Sequence, residues 1–200
     1  MLIGLPLSEY KSMRSRSAHP PPVSRIANSH TRRQPHGLAD YLAVMTRAVF
    51  QSGLSWAHID RQWERLAAAF GGFDAATISK YRPTDVARIG RTPGIVRNER
   101  KVEATIHNAK TMLQLEKQPG GFARYLRSFS SYEAVSADIK KRFAFVGDVS
   151  VYYFLFRVGE KVPSFVRWEK TVKGEHPRIR EMVSMAEPPR PRRRAQKGAG

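Results

Sequence analysis

The amino-acid sequence predicts an all-α domain, and three observations carry that prediction. Apolar residues recur at spacings of three and four along most of the chain. No run alternates apolar and polar residues over strand length strongly enough to compete, and no Gly-rich phosphate loop or dinucleotide fingerprint marks a βαβ unit. Two hundred residues, 41% of them hydrophobic, suffice for one domain of ordinary size with a buried interior. No internal repeat of convincing period is present.

Taken in order, residues 1–38 have few apolar positions, no period and the proline-bearing stretches HPPPVSR and HTRRQPHG, so they read as a disordered basic N-terminal tail. Residues 39–186 read as the helical domain. A first helix is expected over 41–52, closed by a Gly53-Leu54 hinge in the stretch FQSGLSW. In WAHIDRQWERLAAAF, residues 56–70, Ile59, Trp63, Leu66 and Phe70 share one helical face, and Gly71-Gly72 stops it. Shorter helices are expected at 75–81 and 84–90. Pro93-Gly94 then makes a turn. Over 98–116, Val102, Ile106, Ala109 and Leu113 repeat at helical spacing, with Asn98 placed to cap the first turn. Helices at 121–129, 132–142 and, after a turn at Phe145-Val146-Gly147, 148–158 complete the prediction. Residues 187–200, EPPRPRRRAQKGAG, read as a disordered basic C-terminal tail.

Thirty-five Lys and Arg against 17 Asp and Glu give a net charge of +18, which favours a polyanionic partner through release of counterions from phosphates. The two tails hold +5 and +4 of this, and residues 39–186 keep 24 basic and 15 acidic side chains, or +9. Half of the charge therefore belongs to the folding segment. Either tail fits a non-specific hold on DNA or a merely solvated segment. Nucleic acid leads as partner and an anionic membrane surface follows.

Zero cysteines exclude disulfides and thiolate metal sites and fit a reducing, cytoplasmic setting. No apolar run approaches the roughly 20 residues that span a bilayer, and MLIGLPLSEYKSMRSRS is charged too soon for a signal peptide, so a soluble protein is expected. The histidines, His19, His30, His36, His58, His107 and His176, show no ligand spacing, and no metal is expected.

Two segments are suited to phosphates. In KKRFAFVGDVSVYYFLFRVG, residues 140–159, a basic helix end, a tight apolar turn with Gly147 and a new helix opening at Asp148 would present backbone N–H groups to a phosphate, although a plain αα turn reads the same way. In TPGIVRNERKVEATIHNAK, residues 92–110, Arg97, Arg100 and Lys101 cluster at a helix start, where cations oppose the helix dipole. A phosphate-facing patch and a solvated face both fit that cluster.

FQSGLSWAHIDRQW, PGIVRNERKVEATIHNAK and KKRFAFVGDVSVYYFLFRVG resemble, in order and spacing, the 3-methyladenine DNA glycosylase I family of the helix-hairpin-helix glycosylase superfamily. The resemblance covers three blocks within residues 40–159. It implies a helix-hairpin-helix glycosylase-like helical domain that acts on double-stranded DNA containing alkylated bases. No cofactor is expected of this chain, and a monomer is the default because one lesion needs one reader. The implied activity is monofunctional excision of alkylated purines, 3-methyladenine foremost, because Gly147-Asp148-Val149 stands where lyase members of the superfamily carry a lysine.

By the same resemblance Trp56 stacks the extruded base, with Gln51, Ser55 and Tyr152 near it. Gly53 and Leu54 enter the duplex as an apolar wedge. Arg97, Lys101, Val146, Gly147 and Asp148 hold the DNA backbone. Tyr152 and Tyr153 are consecutive, so one of them belongs to the core. No catalytic acid or base is assigned.

Two positions depart from the family pattern. Its well-studied branch carries a glutamate eight residues before the tryptophan, where this chain has Ala48, and it holds a zinc through cysteines and histidines that this chain lacks. A non-catalytic DNA-binding protein on the same scaffold is the alternative, and a general basic nucleic-acid binder a further one.

Overall fold

The computed structural model describes residues 31–186, so the first thirty residues of the tail expected over 1–38, and the whole of the one expected over 187–200, lie outside the described residues. Among the described residues there are ten α-helices, one 3₁₀ turn and no strand. They are α1 (Leu38–Gln51), α2 (Trp56–Ala69), α3 (Ala75–Ile78), α4 (Pro83–Gly90), α5 (Glu99–Glu116), α6 (Gly121–Arg127), α7 (Tyr132–Arg142), α8 (Asp148–Arg157), α9 (Phe165–Glu169) and α10 (Pro177–Ala186). The 3₁₀ turn is Gly71–Phe73. None of these helices is long and apolar enough to cross a membrane.

Two nearly all-apolar helices form the centre. Every residue of α1 from Tyr41 to Gln51 is buried, as is every residue of α8 from Ser150 to Arg157. Helices apolar on all sides must be enclosed, and each is covered by its neighbours. α1 packs mainly on α5 and α8, α5 carries α3, α4 and α6 as well, and α7 covers α8. On α2, Ile59, Trp63 and Leu66 are buried, with Phe70 just beyond its end, so the expected face is the one that packs. On α5 the buried face runs through Val102, Thr105, Ile106, Ala109, Met112 and Leu115, while Leu113 stays partly exposed.

The helix ends follow local chemistry. Asn98 caps α5 by accepting from the Lys101 N–H (3.1 Å), Ser131 caps α7 through the Ala134 N–H (3.2 Å), and Asp74 caps α3 through the Thr77 N–H (2.7 Å). α1 begins at Leu38, three residues before the expected start. Two helices, α9 and α10, stand where no helix was expected. Trp168 of α9 is buried, its ring tilted against that of Tyr152 with centroids 4.3 Å apart.

Residues 31–37 fall in the stretch read as tail and run against the end of α8. The Arg33 N–H donates to the Arg157 carbonyl (3.0 Å), Arg32 donates to the carbonyls of Gly159 (3.1 Å) and Glu160 (2.9 Å), and Arg157 Nε donates to the Thr31 carbonyl (3.0 Å).

Candidate functional site

The end of α1 builds the first half of the site. Ser52 N–H closes the last turn on the Ala48 carbonyl (3.1 Å), and Gly53 then adopts φ +71°, a left-handed conformation costly for a residue with a Cβ. The chain reverses there and delivers Leu54, Ser55 and Trp56, with Ser55 at the N-cap of α2. Leu54 is half-buried against the core. Lys101 holds this hinge. Its Nζ donates to the carbonyls of Phe50 (3.0 Å) and Ser52 (2.6 Å), both left without partners where α1 ends. Lys101, expected at a DNA phosphate, is therefore inside the protein at 4% exposure, and burial lowers its pKa below the ordinary lysine value.

Beside the hinge lies a cavity of about 200 Å³, lined by Ala48, Gln51, Ser52, Gly53, Trp56, Val149, Ser150 and Tyr153. It brings together Trp56, Gln51 and Gly53 from the first block with the opening turns of α8 from the third. Ser55 is exposed and does not line it. Tyr152 does not either. Its hydroxyl donates to the Pro163 carbonyl (3.0 Å), and its ring packs on Trp168 and Tyr132. One residue along a helix turns the side chain by about 100°, so the aromatic at this wall is Tyr153, whose ring meets Trp56 edge-on with centroids 5.2 Å apart.

Two features of this pocket were not legible beforehand. Gln51 is 4% exposed, and both polar atoms of its side-chain amide are buried with no hydrogen-bond partner among the described residues. A buried amide without partners costs folding free energy. Tyr153 is also tied to charge. Its hydroxyl accepts from Nη1 of Arg157, which is fully buried one turn further along α8. Burial raises the phenol pKa against the pull of Arg157 and Arg47, so Tyr153 stays protonated.

A second cleft lies against Trp56, formed with Ala57 and Asp60 of α2 and with Arg178, Glu181, Met182 and Met185 of α10. Asp60 pairs there with buried Arg47, whose guanidinium also lies 4.9 Å from the Trp63 ring centroid.

The hairpin between α7 and α8 is fixed from α5. Asn108 uses both ends of its amide on one residue, accepting from the Ala144 N–H (2.8 Å) and donating to the Ala144 carbonyl (3.2 Å), while a His107 ring nitrogen lies 2.9 Å from the Arg142 carbonyl. Asn108 has a positioning role that spacing alone did not announce. Val146 is buried, whereas Gly147 and Asp148 are exposed, and Asp148 pairs with Lys140 (2.6 Å). Gly147 has φ −96°, and a Cβ there would meet no heavy atom within 4 Å, so nothing in the described fold demands glycine. Its missing side chain leaves the start of α8 open to approach. Arg97 and Arg100 are exposed at the start of α5, and Arg100 lies 5.7 Å from the ring centroid of Phe145, an exposed residue at φ +59° on the hairpin.

Among the described residues no group of three or more histidines and carboxylates is placed to hold a metal ion.

The methyladenine glycosylase family model matches residues 35–142. DNA-3-methyladenine glycosylase 1 of Escherichia coli is 31% identical over 130 residues, covering 54% of this chain and 70% of that protein. DNA-3-methyladenine glycosylase of Haemophilus influenzae is 29% identical over 130 residues with the same coverage. A crystal structure of 3-methyladenine DNA glycosylase I superposes with a TM-score of 0.57 at 26% identity, covering 65% of this chain and 82% of that one.

Proposed function

Because this chain belongs to the methyladenine glycosylase family, we propose that it is a monofunctional DNA glycosylase that excises alkylated purines, 3-methyladenine foremost, from double-stranded DNA. We take it to act as a monomer in the cytoplasm. The observation that carries this reading is the Gln51 amide, buried without a partner among the described residues in a pocket that also holds Trp56. A group left unsatisfied in the free protein is complemented by a ligand offering one donor and one acceptor side by side. The N6 amino group and N7 of an adenine offer that pair. Trp56 supplies the face on which such a base stacks.

The chemistry asked of the site is mild. An N3-alkylated adenine in DNA already carries positive charge, so its glycosidic bond breaks towards a neutral leaving base without prior protonation. The lining residues include no carboxylate and no imidazole. Their work is to hold the base extruded, fix its edge and shield it while water takes its place on the sugar; binding and placement provide the acceleration. Gly53 and Leu54 occupy the space the base leaves in the duplex. Phosphates meet the open start of α8 at Gly147 and the exposed Arg97.

The direct test is chromatography of free bases released from methylated duplex DNA. Release of 3-methyladenine is expected. Binding to the same duplex with no base released would reject the glycosylase and leave a non-catalytic binder. Gln51→Met adds a sharper outcome: removing an unsatisfied buried amide keeps or raises the thermal midpoint, while base release falls about fivefold to thirtyfold with the loss of one or two hydrogen bonds.

A further inference from the structure

Among the described residues, Phe73 at φ +66° and Phe145 at φ +59° hold a left-handed backbone without being glycine. A bulky side chain seldom adopts that conformation, and one that does needs its surroundings to hold it there. For Phe73 the offset is burial. Its ring is fully enclosed and stacks on Trp63 and Phe70, with centroids 5.2 Å and 5.8 Å apart. Phe145 has no such offset, because it is 41% exposed and its ring is not part of the packed core.

The hairpin between α7 and α8 is held so that this ring stays outside. Phe143 and Val146 enter the core on either side of it, and Asn108 of α5 fixes Ala144 through its N–H (2.8 Å) and its carbonyl (3.2 Å). Glycine takes such a backbone without strain, so the turn by itself asks for no side chain at position 145. The ring's cationic neighbour is Arg100 of α5, whose guanidinium lies 5.7 Å from the centroid. Arg100 is exposed and forms no ion pair among the described residues.

An apolar face beside a free cation is complementary to a group that carries an apolar face beside an anion. A deoxyribose and its phosphate repeat that combination at every nucleotide. We propose that Phe145 and Arg100 form a backbone anchor for the duplex, in which the ring packs on a deoxyribose and the guanidinium takes the adjoining phosphate. The inference rests on the glycosylase reading and adds a contact outside the base pocket, which neither residue lines. Phe145 lies two residues before Gly147, and Arg100 three after Arg97, so the anchor adjoins the groups already given to phosphates. DNA then supplies for Phe145 the burial that Phe73 finds inside the protein. Such an anchor places the duplex and reads no base.

The test is binding of a fluorescein-labelled methylated duplex, followed by anisotropy over a range of salt concentrations, for the wild type, Phe145→Gly and Arg100→Gln. Phe145→Gly removes the ring and relieves the backbone, so its thermal midpoint is expected to hold or rise while duplex affinity falls about fivefold to tenfold. No charge is lost in that variant, so the fall cannot come from weaker general attraction. Arg100→Gln is expected to lower the salt slope of binding by about one. With both changes the loss should be smaller than the product of the two, because ring and guanidinium act on one nucleotide.

A Phe145→Gly protein with the parent's duplex affinity would overturn the proposal. So would a clear drop in its thermal midpoint, which would make the ring a packing residue, or an unchanged salt slope in Arg100→Gln. Variants that bind the duplex like the parent but no longer sediment with anionic phospholipid vesicles would overturn it too, and would assign the pair to a membrane surface. Base release by the wild type is assayed on the same duplex. If the variants weaken binding as expected but the wild type releases no base, the glycosylase reading falls and the anchor stands. If the wild type releases 3-methyladenine and Phe145→Gly binds as tightly, only the anchor falls.

Discussion

Trp56→Ala is expected to lower release of 3-methyladenine from methylated DNA by about 10- to 100-fold, the loss that follows from removing a base–aromatic stack of about 1–3 kcal/mol. The residue lines the base pocket and also touches the cleft under α10, so its removal opens the slot on one face and loosens Met182 on the other. Stability pays a smaller share, about 1–2 kcal/mol, because Trp56 is only half-buried in the free protein. Base release by the variant is measured beside its urea midpoint. A release rate equal to that of the parent would remove Trp56 from the binding face. Trp63, fully enclosed two turns further along α2, sets the contrast: its substitution acts through stability.

The second large effect is on the fold. Lys101→Met is expected to cost about 2–3 kcal/mol in urea unfolding, since it leaves the Phe50 and Ser52 carbonyls without the ammonium that now serves both. It should also change the pH profile of stability. Burial lowers the Lys101 pKa, so the folded protein holds that proton less tightly than the unfolded chain. The linked contribution is then fully present above the ordinary lysine value and lost as pH falls through the lowered one, so wild-type stability gains as pH rises through that interval. Lys101→Met lacks the gain. A variant as stable as the parent, with an unchanged alkaline profile, would show that the hinge does not depend on this lysine.

Much of this architecture was legible in the residues, for reasons that vary along the chain. α2 was readable because Ile59, Trp63, Leu66 and Phe70 occupy one face and two glycines at positive φ end it. The start of α1 was misplaced because Gly37 offers no side-chain cap, and the start at Leu38 answers to tertiary packing. α9 and α10 were missed because α9 is five residues long, the chain between them carries Gly174, and α10 opens on Pro177, so that the stretch read as loop. Pro177 at the head of α10, with Ile179 and Met182 three apart, was the available signal.

The site was legible in its blocks and not in its atoms. FQSGLSW gave the hinge, the glycine and the indole together. Whether Tyr152 or Tyr153 faces the pocket turns on a rotation of about 100° between two identical residues, which packing alone resolves. Lys101 looked like a surface cation beside Arg97 and Arg100, and only the ending of α1 nearby explains its burial. The unsatisfied amide of Gln51 has no sequence signal, because it is defined by what does not surround it.

The strap of residues 31–34 across the end of α8 has a kinetic meaning. The bond from Arg157 Nε to the Thr31 carbonyl joins residues 126 apart and so closes almost the entire domain into a single loop. The entropy cost of such closure grows only slowly with loop length, but the local helical contacts that need no long closure form before it. A clasp made after the rate-limiting step leaves the folding rate untouched and slows unfolding. Removing the Arg157 side chain is then expected to shorten the lifetime of the folded molecule, read as a faster unfolding rate in denaturant at an unchanged folding rate.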